Sequence, residues 1–91
     1  EISDINNLNL NLEVNEKKMQ AGNTKNMIFN TNFLLSYLSK FMSLQAGDIV
    51  TTGTPAGVGM GMKPPVFLKP GDKIKLSIDN LGEQNSKIIT E

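Results

Sequence analysis

The chain has 91 residues and a formal charge of zero, nine Lys balancing nine Asp plus Glu, with no Arg, His or Cys. This length allows one domain at most, or a piece of a larger one, and the charge balance excludes a strongly basic nucleic-acid footprint. A Ser-His-Asp triad, a Cys-His dyad, a zinc finger, a disulfide framework and a guanidinium clamp are all excluded, which leaves carboxylates, Lys, hydroxyls, amides and backbone as the available chemistry.

Leu8, Leu10, Leu12 and Val14 alternate with Asn9, Asn11 and Glu13, the period-two pattern of a half-buried strand. Asn15-Glu16 separates this strand from Lys17-Lys18-Met19-Gln20 and predicts a hairpin whose second strand ends at Gly22-Asn23. A two-residue turn wants positive φ at both central residues, which Asn15 suits better than Glu16. Asn30-Thr31-Asn32 offers N-cap oxygens, and Leu34, Leu35, Leu38, Phe41 and Met42 form one apolar stripe behind it, so one helix is expected over 31–44, stopped by Gly47. Phe33, Tyr37 and Leu44 widen the stripe and imply packing against more than one neighbour.

Asp48-Ile49-Val50-Thr51-Thr52 reads as a short strand because β-branched residues dominate it. The stretch Gly53-Thr54-Pro55-Ala56-Gly57-Val58-Gly59-Met60-Gly61 is too rich in Gly for regular structure. Pro70-Gly71 turns into a strand over 72–78, with Ile74, Leu76 and Ile78 inward. Asn80-Leu81-Gly82 turns again, and Ser86 to Thr90 supplies the return strand. The expected class is α+β, mostly β, with edges and apolar faces that need partners. A continuation before Glu1 is the simplest remedy. No run approaches 18 apolar residues, so no membrane-spanning helix is expected. Nothing in the first residues reads as a signal peptide, and the absence of Cys fits a reducing compartment, so the expected location is the cytoplasm.

The loop Gly57-Val58-Gly59-Met60-Gly61 has the spacing GxGxG rather than GxGxxG, and Pro64-Pro65 stands where a dinucleotide-binding helix would begin. Lys63 completes no P-loop. Thr54 lies where the 48–52 segment gives way to the loop. Gly53 beside it lets backbone approach a ligand, and Pro55 can fix the turn. A Thr hydroxyl and N–H there could donate to a carboxylate, or the hydroxyl could bond within its own turn. Asp48 and Asp72 each follow Gly and read as caps on backbone N–H groups. Lys73 and Lys75 read as solvated, and Gln20 could face either way. No carboxylate pair has metal-ligand spacing.

Seven segments occur in an order that points further: Gln20-Ala-Gly-Asn-Thr24, Met27-Ile-Phe29, Leu34-Leu-Ser-Tyr-Leu38, Gly47-Asp-Ile-Val50, Thr52-Gly-Thr-Pro-Ala-Gly-Val-Gly59, Lys63-Pro-Pro-Val-Phe-Leu-Lys-Pro-Gly-Asp72 and Leu81-Gly-Glu-Gln84. Together they resemble the C-terminal part of the fumarylacetoacetate hydrolase family, nearest its branch acting on acylpyruvates and 2,4-diketo-3-deoxy sugar acids. The resemblance implies a mixed β-sandwich or roll with residues 1–91 as the C-terminal portion of one catalytic domain, usually in a homodimer. It implies a Mg²⁺ or Mn²⁺ site that chelates a small keto-acid substrate while water breaks a carbon–carbon bond. The family's metal ligands, a Glu-x-Glu pair and an Asp, and its assisting Lys and His/Glu groups match nothing in this chain, which therefore carries no catalytic or metal residue of its own. The family's substrate-contacting Thr matches Thr54, with Gly53 beside it. Where the family's first hairpin reads Val-Asn-Gly-Glu, this chain has Val14-Asn15-Glu16-Lys17, at a cost of about 1 kcal/mol for positive φ. The alternatives are an isomerase, decarboxylase or lyase on the same scaffold, a non-catalytic truncated or split fragment, and a small-ligand module built on the glycine loop.

Overall fold

A computed structural model of the chain describes residues 2–90. Its strands are β1 (Asn9–Val14), β2 (Lys17–Asn23), β3 (Lys73–Ile78) and β4 (Gly82–Lys87), with one helix, α1 (Thr31–Ser39). The strands form one antiparallel sheet in the order β2-β1-β3-β4. The class is α+β and mostly β, as the patterning implies.

The period-two residues meet across the β1–β3 pair. Leu10 lies opposite Ile78, Leu12 opposite Leu76 and Val14 opposite Ile74, an apolar ladder of the kind that stabilises sheets pair by pair. Asn15 and Glu16 take φ of 52° and 68°, so the two-residue hairpin turn forms despite the strain at Glu16. Asn15 also ties the hairpin to β3. Its Nδ2 donates to Asp72 Oδ1 at 2.9 Å and its Oδ1 accepts from the Lys73 N–H at 3.0 Å. At the far end of the same pair, Asn9 donates through both its N–H and its Nδ2 to Asp79 Oδ2, each at 2.9 Å.

In β2, Leu12 pairs with Gln20 but Glu13 pairs with Lys18, so Met19 is an extra residue in a β-bulge. The return strand of the last hairpin begins at Gly82 rather than Ser86, because Asn80 and Gly82 both take positive φ and turn the chain within three residues. Ile88 continues the pairing, accepting from the Gly71 N–H at 2.7 Å and donating to the Asp72 carbonyl at 2.8 Å.

Two further expectations are corrected. The helix spans 31–39, not 31–44. It starts where expected, with Asn30 Oδ1 accepting from the Phe33 N–H at 2.8 Å. It stops early because Ser39 Oγ donates to the Ser36 carbonyl at 2.7 Å, the acceptor that the Lys40 N–H would need, and that N–H bonds the Tyr37 carbonyl instead. Such local hydroxyl bonds compete with the helix ladder. Phe41 and Met42 are exposed, and the aromatic contact of Phe41 is with Tyr37 of the helix itself, so no other element among the described residues packs there to hold a further turn. Gly47 serves a separate turn. The segment 48–52 is not a strand: no neighbouring strand among the described residues pairs with it, and Ile49 is 89% exposed.

The two Gly-Asp turns are the same device. Asp48 Oδ2 accepts from the Gln45 N–H at 2.7 Å and Asp72 Oδ2 from the Lys69 N–H at 2.8 Å, while each Asp N–H returns to the carbonyl three residues back. Gly47 and Gly71 sit at φ 95° and 93°, where only Gly is unstrained. Both Asp residues are thus backbone caps, as read from the sequence. Among the described residues only Leu8 is a buried hydrophobic, and an exposed aromatic row runs along the helix and past both its ends, in which Phe29, Phe33, Tyr37 and Phe41 follow one another with ring centroids 5.0–6.2 Å apart. No helix of the described residues is long and apolar enough to cross a membrane.

The Asp72 clamp makes stability depend on pH. The Asn15 amide, then the Lys69 N–H, with the Lys69 charge adding to them against burial, hold the carboxyl below its ordinary 3.8. A carboxylate whose folded pKa is depressed contributes stability that is fully present above its unfolded pKa and lost as pH falls through the folded one. Thermal melts of wild type and Asp72→Asn are therefore expected to differ by a constant interval near neutral pH, and that interval should close as pH drops below 3.8. An interval that widens in acid contradicts this account.

Candidate functional site

A cavity of about 620 Å³ opens where the end of β2, the following 3-10 turn Thr24–Asn26, the start of α1 and the loop 52–56 converge. Thr54 and Gly53 both line it, so the structure brings the two sequence-designated residues to one site. Its other lining is apolar or neutral polar: Leu10, Met27, Ile28, Phe29 and Leu34 with Asn23, Thr24 and Asn26. None of the lining residues carries a charge. Such a wall can exclude water and offer neutral hydrogen-bond donors. It cannot neutralise a full charge or relay a proton.

Each loop residue is positioned by backbone geometry. Gly53 has φ 94° with nothing within 4 Å of where a Cβ would stand, so the chain's path requires this glycine, rather than close approach of a neighbour. Pro55 packs on β2, its Cβ 2.9 Å from the position of a Cβ on Gly22. Gly57 lies against the bulge: with φ 110°, any Cβ there would fall on the Met19 carbonyl oxygen. The bulge thus aims one strand carbonyl at the loop, and the loop answers with its least bulky residue.

Thr54 is exposed, and its Oγ1 accepts from Gln20 Nε2 at 2.9 Å. The same nitrogen donates to the Pro55 carbonyl at 2.8 Å. Gln20, which the sequence left facing either way, faces the loop. Thr24, at the end of the Gln20–Thr24 segment, is structural: its hydroxyl accepts from the Leu8 N–H at 2.8 Å. The part of the site contributed by β2 and α1 carries no local signal, since these residues lie 20–34 positions from Thr54 and meet it only through the fold. Gly59–Gly61 forms a single 3-10 turn followed by Met62 in extended conformation, so no helix N-terminus stands behind the glycines to cradle a phosphate. Among the described residues no three His, Cys, Asp or Glu side chains come together as a metal site. The side chains present do not fit Mg²⁺ or Mn²⁺.

A family model described as fumarylacetoacetate (FAA) hydrolase C-terminal matches residues 1–89. A Burkholderia cenocepacia protein named as a hydrolase is 54% identical over 85 residues, covering 92% of this chain and 30% of that protein. The chain spans about 30% of the length of the curated relatives it matches. The structure of maleylpyruvate hydrolase from Sphingobium sp. SYK-6 in complex with manganese(II) and pyruvate matches at a TM-score of 0.81 and 35% identity, over 97% of this chain and 31% of that one. That of 2-hydroxyhepta-2,4-diene-1,7-dioate isomerase from Mycobacterium marinum matches at 0.77 and 32%, over 94% and 31%.

The two loop glycines separate conformational strain from steric contact. Gly53→Ala is expected to cost about 1–2 kcal/mol, the penalty for a left-handed residue alone. Gly57→Ala should cost upwards of about 3 kcal/mol, because the Met19 carbonyl must also move. Urea unfolding of the two variants measures the difference, and equal costs would show that the bulge does not seat the loop.

Proposed function

The chain belongs to the fumarylacetoacetate hydrolase family, and on that premise we propose that residues 1–91 are the C-terminal portion of one catalytic domain in a divalent-metal-dependent enzyme that breaks a carbon–carbon bond in 2,4-diketo acids, acylpyruvates or diketo-deoxy sugar acids. The observation that carries the reading is Thr54: an exposed hydroxyl beside Gly53 on the rim of an uncharged cavity. A hydroxyl and a backbone N–H in that position suit one carboxylate or keto oxygen of a small acid. The manganese and pyruvate of the Sphingobium enzyme support both the metal and the keto-acid substrate class.

In this reading the chain binds and orients. Thr54 holds the acid end, and Phe29, Leu34 and Met27 line an apolar wall that keeps water from the rest of the substrate. Mg²⁺ or Mn²⁺ and the groups that move protons are held by parts of the protein other than the described residues. The assembled enzyme is a cytoplasmic homodimer. The isomerase is the second reading, favoured by the Mycobacterium marinum neighbour, which shares this portion of the fold at nearly the same identity as the hydrolase. The 91-residue chain by itself is inactive under either.

Two outcomes test this. In the complete metal-loaded enzyme, Thr54→Val preserves shape but removes the bond from Gln20 and the charge-assisted hydrogen bond to substrate, the latter worth about 1.5–3 kcal/mol. A loss of about tenfold or more in kcat/KM on an acylpyruvate is expected, with Tm unchanged. Unaltered kinetics would return Thr54 to a turn residue. Titration calorimetry of the isolated chain with Mg²⁺ or Mn²⁺ should give no specific heat, and micromolar one-to-one binding would place the metal site here instead.

A further inference from the structure

We infer that Gln20 is a positioning residue that turns the Thr54 hydroxyl toward the cavity, an inference that rests on the reading of Thr54 as a substrate contact. A hydroxyl offers one donor and two acceptor positions. Gln20 Nε2 donates to Thr54 Oγ1 at 2.9 Å and so occupies an acceptor position, which leaves the hydroxyl hydrogen to find a partner of its own. The nearest acceptor is the Pro55 carbonyl at 3.4 Å, outside the usual range of about 2.5–3.0 Å for O–H···O bonds. That carbonyl already accepts from Gln20 at 2.8 Å. The hydroxyl therefore has one of its two acceptor positions filled and an unspent donor, the arrangement that suits an incoming carboxylate or keto oxygen.

The amide is itself fixed in place. Gln20 is half-buried and stands next to the Met19 bulge, where Gly57 lies against the strand, and Pro55 rests on Gly22 two residues further along. Strand and loop are thus held together on both sides of the Gln20 side chain. An amide can donate to a hydroxyl and a carbonyl together. A carboxylate in its place can only accept, so it would take the Thr54 hydrogen for itself and face the Pro55 carbonyl without a bond.

The test uses the complete metal-loaded enzyme, with kcat/KM on an acylpyruvate read beside Tm. Gln20→Leu is expected to lose about fivefold or more in kcat/KM with the melt still cooperative. Gln20→Glu should lose as much near neutral pH and regain activity relative to wild type as pH falls from about 6 to about 4, through the ordinary range of a Glu carboxyl, when the protonated group can donate again. In a Thr54→Val background neither substitution should cost anything further, and the pH dependence should vanish. Losses that add in that background, or a Gln20→Glu to wild-type ratio that is flat with pH, would show that Gln20 only holds the loop and overturn the inference. If Thr54→Val costs tenfold while Gln20→Leu costs nothing, the substrate reading stands and this one falls. If Thr54→Val costs nothing, both fall. Should Gln20→Leu fail to fold, the pH profile of Gln20→Glu decides alone.

Discussion

The pairing of β1 with β3 is the constraint on which the rest of the structure depends. It joins two hairpins through residues 60 to 68 positions apart in sequence, and among the described residues no other strand pairing links them. Its face is the aliphatic ladder from Leu10 to Val14 against Ile78 to Ile74, and an Asn–Asp pair closes each end. The Asn residues at these ends are not incidental composition. Asn9 and Asn15 bond across the seam, Asn23 bridges Asn7 and Asn9 and caps a 3-10 turn, and Asn30 caps the helix. Long-range pairing is entropically expensive to close, and side-chain clamps at both ends fix the register once it is made.

From that seam the site follows. β1 carries β2 on its other edge, the bulge in β2 turns the Met19 carbonyl and the Gln20 amide outward, and the loop 53–57 settles on them. The sheet itself buries little. Its residues are mostly half-exposed, and the aromatic row on α1 faces outward. The precision of the loop therefore comes from hydrogen bonds and from contacts at Gly22 and Gly57 rather than from a packed core. This division suits a wall whose task is to present one hydroxyl.

What could be read from the sequence was local. Alternation marked β1 and β3, Asn15-Glu16 marked the hairpin, Asn30 the helix start, and the Gly-Asp pairs their caps, because each signal acts within a few residues. The helix end was misread because Ser39 takes the Ser36 carbonyl, a competition that apolar periodicity does not register. The segment 48–52 has strand composition but lacks a paired neighbour, and a strand is a property of the pair. For the site, Thr54 and Gly53 were marked by their place at the head of the glycine loop and by a resemblance. Gln20 was named without a direction, since only the bulge decides which way it faces.

The bulge also binds two distant stretches of sequence into one heritable unit. A regular β2 would withdraw the Met19 carbonyl and remove the steric reason for glycine at 57, leaving only the demand of its φ of 110°, while any side chain at 57 demands that the strand be straightened or the loop be lifted. Neither stretch can drift freely while the other stays as it is. A one-residue deletion at Met19 would preserve every named pair of the sheet and still dismantle the site. Tolerance to change at residue 19 is therefore set by a loop almost forty positions away, not by the strand in which it lies.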